Sequence, residues 1–128
     1  MKKICKDLLL YWMPVIIYCV MIYIQSSQAI PESLPAFTGM DKMLHFFGYA
    51  LLGVLFFRAF NTLRIKDNKS LLILTSIVAA TLYGISDEIH QYFVVSRDAD
   101  IADAAFDMLG SIFGVYVYQF LFNIRYRK

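Results

Sequence analysis

Acids, a histidine and two cations recur at helical spacing inside stretches that are otherwise apolar. Asp41, His45 and Tyr49 lie four residues apart and share one helix face, with Lys42 beside them. Tyr83, Asp87 and Gln91 form a second stripe, flanked by Glu88 and His90. Asp100, Asp103, Asp107, Gly110 and Gly114 follow at intervals of three or four and make a third, and Arg97 sits between the second and the third. Carboxylates beside an imidazole act as general acid and base, or hold a divalent cation. Arginine and lysine bind phosphate or carboxylate, the arginine in a fork. The candidate catalytic residues are therefore Asp103, Asp107, His45 and Asp87, and a metal ion would draw on Asp103, Asp107 and His45. Substrate binding would fall to Arg97, Lys42, Asp41, Gln91, Glu88 and Tyr49. Seven acids (Asp41, Asp87, Glu88, Asp98, Asp100, Asp103 and Asp107) stand against Lys42 and Arg97. Such an excess in a confined site favours a divalent cation, shared protons or a cationic ligand.

The elements that must position these residues are apolar helices. Of 128 residues 59% are hydrophobic and 17% charged, and the mean hydropathy is +0.58. Soluble domains run near 45–50% apolar and about 25% charged. The excess is more than one small soluble core can hide. It excludes a disordered chain, a coiled coil and a disulfide-rich secreted module, and a net charge of +2 from scattered cations excludes a nucleic-acid binder. Spanning a bilayer takes roughly 20 mainly apolar residues, and four segments qualify, at about 8–24, 43–60, 71–91 and 101–122. The expected fold is an all-α integral membrane protein, a bundle of four transmembrane helices forming one domain over residues 1–128. The bundle is expected to sit in a cytoplasmic (inner) membrane, where it can oligomerise.

Cation placement sets the orientation. Lys2, Lys3, Lys6, Arg58, Arg64, Lys66, Lys69, Arg125, Arg127 and Lys128 fall to one side, and only Lys42 and Arg97 to the other. Both termini are thus expected in the cytoplasm, with the polar residues of the last three spans on the extracytoplasmic side. Three stripes facing inward would meet there as an outward-open pocket. At ~1.5 Å per residue, Asp107 lies roughly 10 Å below the interface, so it should be protonated or paired, with Lys42, His45 and Arg97 as candidate partners.

Each residue also has a plainer reading. Asp41 fits a helix N-cap, and Lys42 can snorkel to headgroups. Adjacent acids point about 100° apart, so Asp87 is expected to face inward with Gln91 while Glu88 reaches a loop or a neighbouring helix. Arg97 either clamps nearby carboxylates or grips a substrate anion. Gly110 and Gly114 read as a helix-packing pair within the bundle. Tyr11, Trp12, Tyr116, Tyr118 and Tyr126 fit interfacial belts. His90 reads as interfacial. Cys5 and Cys19 cannot bridge within one helix and read as free thiols. Lys2, Lys3 and Lys6 before an apolar run, with Ser27-Gln-Ala29 beyond it, suggest a signal peptide, but the run is too long and contains Pro14. The first outer loop, with Pro31, Pro35 and Gly39, should be irregular. No Gly-rich phosphate loop, CxxC pair, HExxH or GxSxG occurs.

Asp41-Lys42-x-x-His45-x-x-x-Tyr49 resembles the first signature of the VanZ-like membrane proteins. Asp87-Glu88-x-x-Gln91 with Arg97 resembles the second, and Asp103-x-x-x-Asp107-x-x-Gly110-x-x-x-Gly114 the third. The chain departs from that pattern in having Asp107 where many members carry Asn, and in lacking a Pro near Val95 or Ser96. The resemblance implies a bacterial cell-envelope protein of a family named for lowered susceptibility to the glycopeptide teicoplanin. Its implied ligands are a lipid-linked cell-wall precursor, an envelope lipid or the antibiotic itself, bound or modified in the outer pocket. Two other readings stand beside it: proton- or ion-linked transport through the membrane carboxylates, and a non-catalytic membrane scaffold.

Overall fold

The structure is a computed structural model that describes residues 1–28, 39–95 and 97–126. The loop prolines Pro31 and Pro35, Ala29 and the tail cations Arg127 and Lys128 lie outside the described residues, as do the side chains of Arg125 and Tyr126. Four helices are long and apolar enough to cross a membrane. They are α1 (Lys2–Ser26), α2 (Met40–Phe60), α3 (Lys69–Tyr92) and α4 (Ile101–Tyr126). Among the described residues there is no strand. Each helix covers its apolar run and extends beyond it into polar flanks. α3 stays helical through Asp87, Glu88 and Gln91, so these residues are held on a regular surface rather than on a loop.

Local chemistry accounts for the helix ends and for one irregularity. Pro14 has no N–H to donate and crowds the preceding turn, and α1 widens there into a π-helical turn over Leu8–Trp12. α2 starts after Gly39, whose φ of 92° lies in the left-handed region that suits glycine. Asp41 does not cap it but lies in the first turn, where the helix dipole favours an acid. Asn68 caps α3 by accepting from the Leu71 N–H at 3.0 Å. Asp100 does the same for α4, accepting from the Ala102 N–H at 2.9 Å.

The core is built by α2, α3 and α4, with α2 and α4 in the most extensive contact. A Cβ on Gly110 would overlap the Phe46 carbonyl, and one on Gly114 the Ala50 carbonyl. The two helices therefore meet backbone to backbone, as small residues permit inside a membrane. Leu52, Ala59, Ala80 and Val115 are wholly buried in the core. α1 leans on α2 and α3 and buries only Val15 and Ser26. Polar tethers hold it: the Tyr18 hydroxyl donates to the Gly48 carbonyl at 3.0 Å, and the Tyr83 hydroxyl to the Cys19 carbonyl. At one end the Trp12 indole donates to Thr62 Oγ1 at 3.3 Å, and Arg58 lies over the Tyr11 ring at 5.5 Å. At the other, Ser27 Oγ meets His90 Nε2 at 2.9 Å, and Tyr23 stacks on His90. Large apolar side chains cover the outer faces of all four helices, a surface compatible with a lipid bilayer.

Candidate functional site

The N-terminal end of α2, the C-terminal end of α3 and the N-terminal end of α4 come together. They gather the polar residues at one end of the bundle. His45, one turn below Asp41, turns its ring toward α4, and its Nδ1 lies 2.8 Å from Asp107 Oδ1. Asp107 is wholly buried. It is also packed against the bare face of α3 at Gly84, where any Cβ would strike its carboxylate. His45 Nε2 faces three further carboxylates: Asp103 at 3.6 Å, Asp41 at 3.9 Å and Glu88 at 4.0 Å. Tyr49, the next residue of the stripe, lies parallel to the His45 ring, and its hydroxyl donates to Asp87 Oδ2 at 3.4 Å.

Lys42 serves the upper edge. Its ammonium bonds Asp100 at 2.6 Å and also Asp103, joining α2 to the start of α4. Through that bond it holds the Asp100 carboxyl below the usual carboxylate range, and the Ala102 N–H acts in the same direction. Asp100 is thus both helix cap and ion-pair partner, and Lys42 is anchored rather than free at the headgroups.

On α3 both adjacent acids are buried. Asp87 accepts from Tyr49 and, at 3.2 Å, from the Gln91 amide. Glu88 Oε2 accepts from the Asp100 N–H at 3.1 Å. Their directions do diverge, but α3 is flanked on one side by α2 and on the other by the start of α4, so each acid meets a wall. Two buried carboxylate oxygens here have no hydrogen-bond partner, Glu88 Oε1 and Asp107 Oδ2. Arg97 is half-buried and forms no ion pair among the described residues.

Most of the expected set is therefore brought together: Asp41, Lys42, His45, Tyr49, Asp87, Glu88, Gln91, Asp103 and Asp107 form one linked array. Gly110 and Gly114 lie below it on the α2–α4 seam. Gly84 was not among the expected residues, although Ser76, Ala80 and Gly84 recur every four residues as a small-residue stripe. Of the two tyrosines that tether α1, Tyr83 lies on the second polar stripe and Tyr18 carries no such signal. Buried ionisable side chains occur only at this end among the described residues. Ser76 and Ser111, deeper in the bundle, donate back to carbonyls of their own helices.

A family model described as VanZ/LLP1 matches residues 8–123, a stretch that takes in most of each of the four helices and every residue of the array. No curated protein and no solved structure gives a significant match.

Proposed function

The chain belongs to the VanZ/LLP1 family, and from that premise we propose that this multi-pass membrane protein works in the bacterial cell envelope. Its acidic end faces outward from the cytoplasmic membrane, with both termini inside. There it binds or modifies an envelope component, a lipid-linked cell-wall precursor or an envelope lipid, and lowers susceptibility to a glycopeptide. The observation that carries this reading is the one-sided array around the buried His45–Asp107 contact. Burying four acids among apolar helices is costly and points to a site. Confinement to one end suits an outward pocket and disfavours transport, which needs polar groups along the whole path.

The roles follow from what each group touches. Arg97, with no carboxylate partner among the described residues, is available to fork onto a phosphate or carboxylate. Its neighbours Asp98 and Asp100 keep the mouth polar, and Lys42 sets the position of Asp103. His45 presents Nε2 toward Asp103 and Glu88 while Asp107 orients the ring through Nδ1, an arrangement suited to moving a proton at a bound headgroup. Asp87, held by Tyr49 and Gln91, shapes the floor.

The test is glycopeptide susceptibility in a susceptible bacterium expressing wild type, Asp103→Asn, or Asp87→Asn with Arg97→Ala, at matched membrane levels. Protection by wild type that is lost in the variants is the expected result. Protection that survives in both variants removes the array from the function, and no protection by wild type removes the glycopeptide.

A further inference from the structure

Glu88 Oε1 and Asp107 Oδ2 are carboxylate oxygens in side chains withdrawn from solvent, Glu88 being 8% and Asp107 0% exposed, and neither oxygen accepts a hydrogen bond. Leaving buried carboxylate oxygens without a donor is unfavourable, and a bound ion is one of the few things that would satisfy them. His45 lies between the two acids. Its Nδ1 is 2.8 Å from Asp107 Oδ1, and its Nε2 is 4.0 Å from the unbonded Glu88 Oε1. One ligand atom from each of the three residues lies within 4.8 Å of the others. Atoms bound to one ion at about 2.0–2.2 Å are at most about 4.4 Å apart, so small side-chain rotations bring all three onto a single centre.

We infer that His45, Glu88 and Asp107 hold a divalent cation through one imidazole nitrogen and two carboxylate oxygens. Two carboxylates balance its charge, and the mixed nitrogen and oxygen set suits zinc or manganese better than calcium. The three ligands come from α2, α3 and α4, so the ion ties the three core helices together at their polar end. A second grouping, Asp41, His45 and Asp103, is as close. It is the poorer site, because Asp41 is exposed and Asp103 is already paired with Lys42, whose ammonium repels a cation. Three protein ligands leave coordination positions for a phosphate or carboxylate oxygen. In that last respect alone the inference rests on the proposed function.

The experiment uses the full chain in detergent micelles after chelation. Manganese is titrated and the free ion read by electron paramagnetic resonance, and thermal unfolding is followed with added zinc. Wild type should take up one manganese per chain and melt at a temperature that rises with zinc concentration. Glu88→Gln should weaken manganese binding at least about tenfold, and Asp41→Asn should leave it within about twofold. Glu88→Gln keeps a side-chain oxygen for the Asp100 N–H, so the α3–α4 contact survives. Should it nonetheless lose cooperative melting, His45→Gln and Asp107→Asn decide, each expected to weaken binding. No saturable uptake by wild type, or uptake by Glu88→Gln equal to wild type, overturns the inference. So does loss of uptake in Asp41→Asn with retention in the other variants. Uptake without glycopeptide protection overturns only the proposed function, and protection without uptake overturns only the cation.

Discussion

Asp107 and Arg97 mark the two extremes of how a charge is treated at the acidic end. Asp107 is enclosed, bonded to His45 on one side and pressed against Gly84 on the other. Asn at this position keeps an oxygen that accepts from the ring, so Asp107→Asn should keep the bundle folded, with a cooperative melt in detergent. Arg97 makes no ion pair among the described residues. Its replacement by Ala should change stability by no more than about 0.5 kcal/mol, as for a residue without an ion pair to lose, while protection against the glycopeptide is lost. A large fall in stability would instead make it a structural clamp. Lys42 is the contrary case, because it joins Asp100 and the buried Asp103. Lys42→Met should lower the melting temperature by leaving Asp103 without its cation, and adding Asp103→Asn should recover part of the loss. Additive losses would show that the pair contributes nothing. Which stripes were polar was legible from spacing alone. Which acid met which base was not, since Lys42, His45 and Arg97 were all partners for Asp107 by depth, and only the packing of α2 on α4 selects His45.

Helices meet closely here only where side chains are missing. Gly110 and Gly114 bring the α4 backbone against the carbonyls of Phe46 and Ala50. Leu at either position must push the helices apart, and the expected cost is about 1–3 kcal/mol, the usual range for overpacking, read as a lower unfolding temperature in detergent. Because that seam lies directly below His45 and Asp107, Gly110→Leu should also lower glycopeptide protection, whereas Leu at the exposed Phe120 should change neither property. The glycine spacing was visible in the sequence, but the partner surface was not, because a helix face does not name the helix it meets. Asp41 illustrates the same limit at a helix end. An Asp before an apolar run reads as a cap, yet Gly39 takes that place through its positive φ and Asp41 moves into the first turn. The π turn before Pro14 is the reverse case, a local consequence of a missing N–H that sequence chemistry accounts for without any neighbour.

Along the sequence, the cations divide ten to two between alternate segments flanking the apolar runs, and the proposed orientation follows from that division. Cys5 is exposed near the N-terminus and offers a native probe. A membrane-impermeant maleimide should label it only after cells are permeabilised, whereas Asp98→Cys, in a Cys5→Ser background, should be labelled in intact cells. The opposite pattern would invert the molecule and place the acidic end in the cytoplasm. The all-helical class and the four apolar helices were determined by the amino-acid sequence itself, because apolar run length and backbone self-satisfaction leave a lipid-exposed segment little alternative to a helix. Helical periodicity likewise determined which side chains share a face, since it depends only on the rise and turn of one chain segment. What the tertiary structure alone decided is the pairing: His45 with Asp107, Lys42 with Asp100 and Asp103, Asp87 with Tyr49, and two buried acids on one turn of α3. Those contacts join residues some 40 to 60 positions apart in sequence, and their partners are chosen by how close three backbones can come, which depends on all three helices at once.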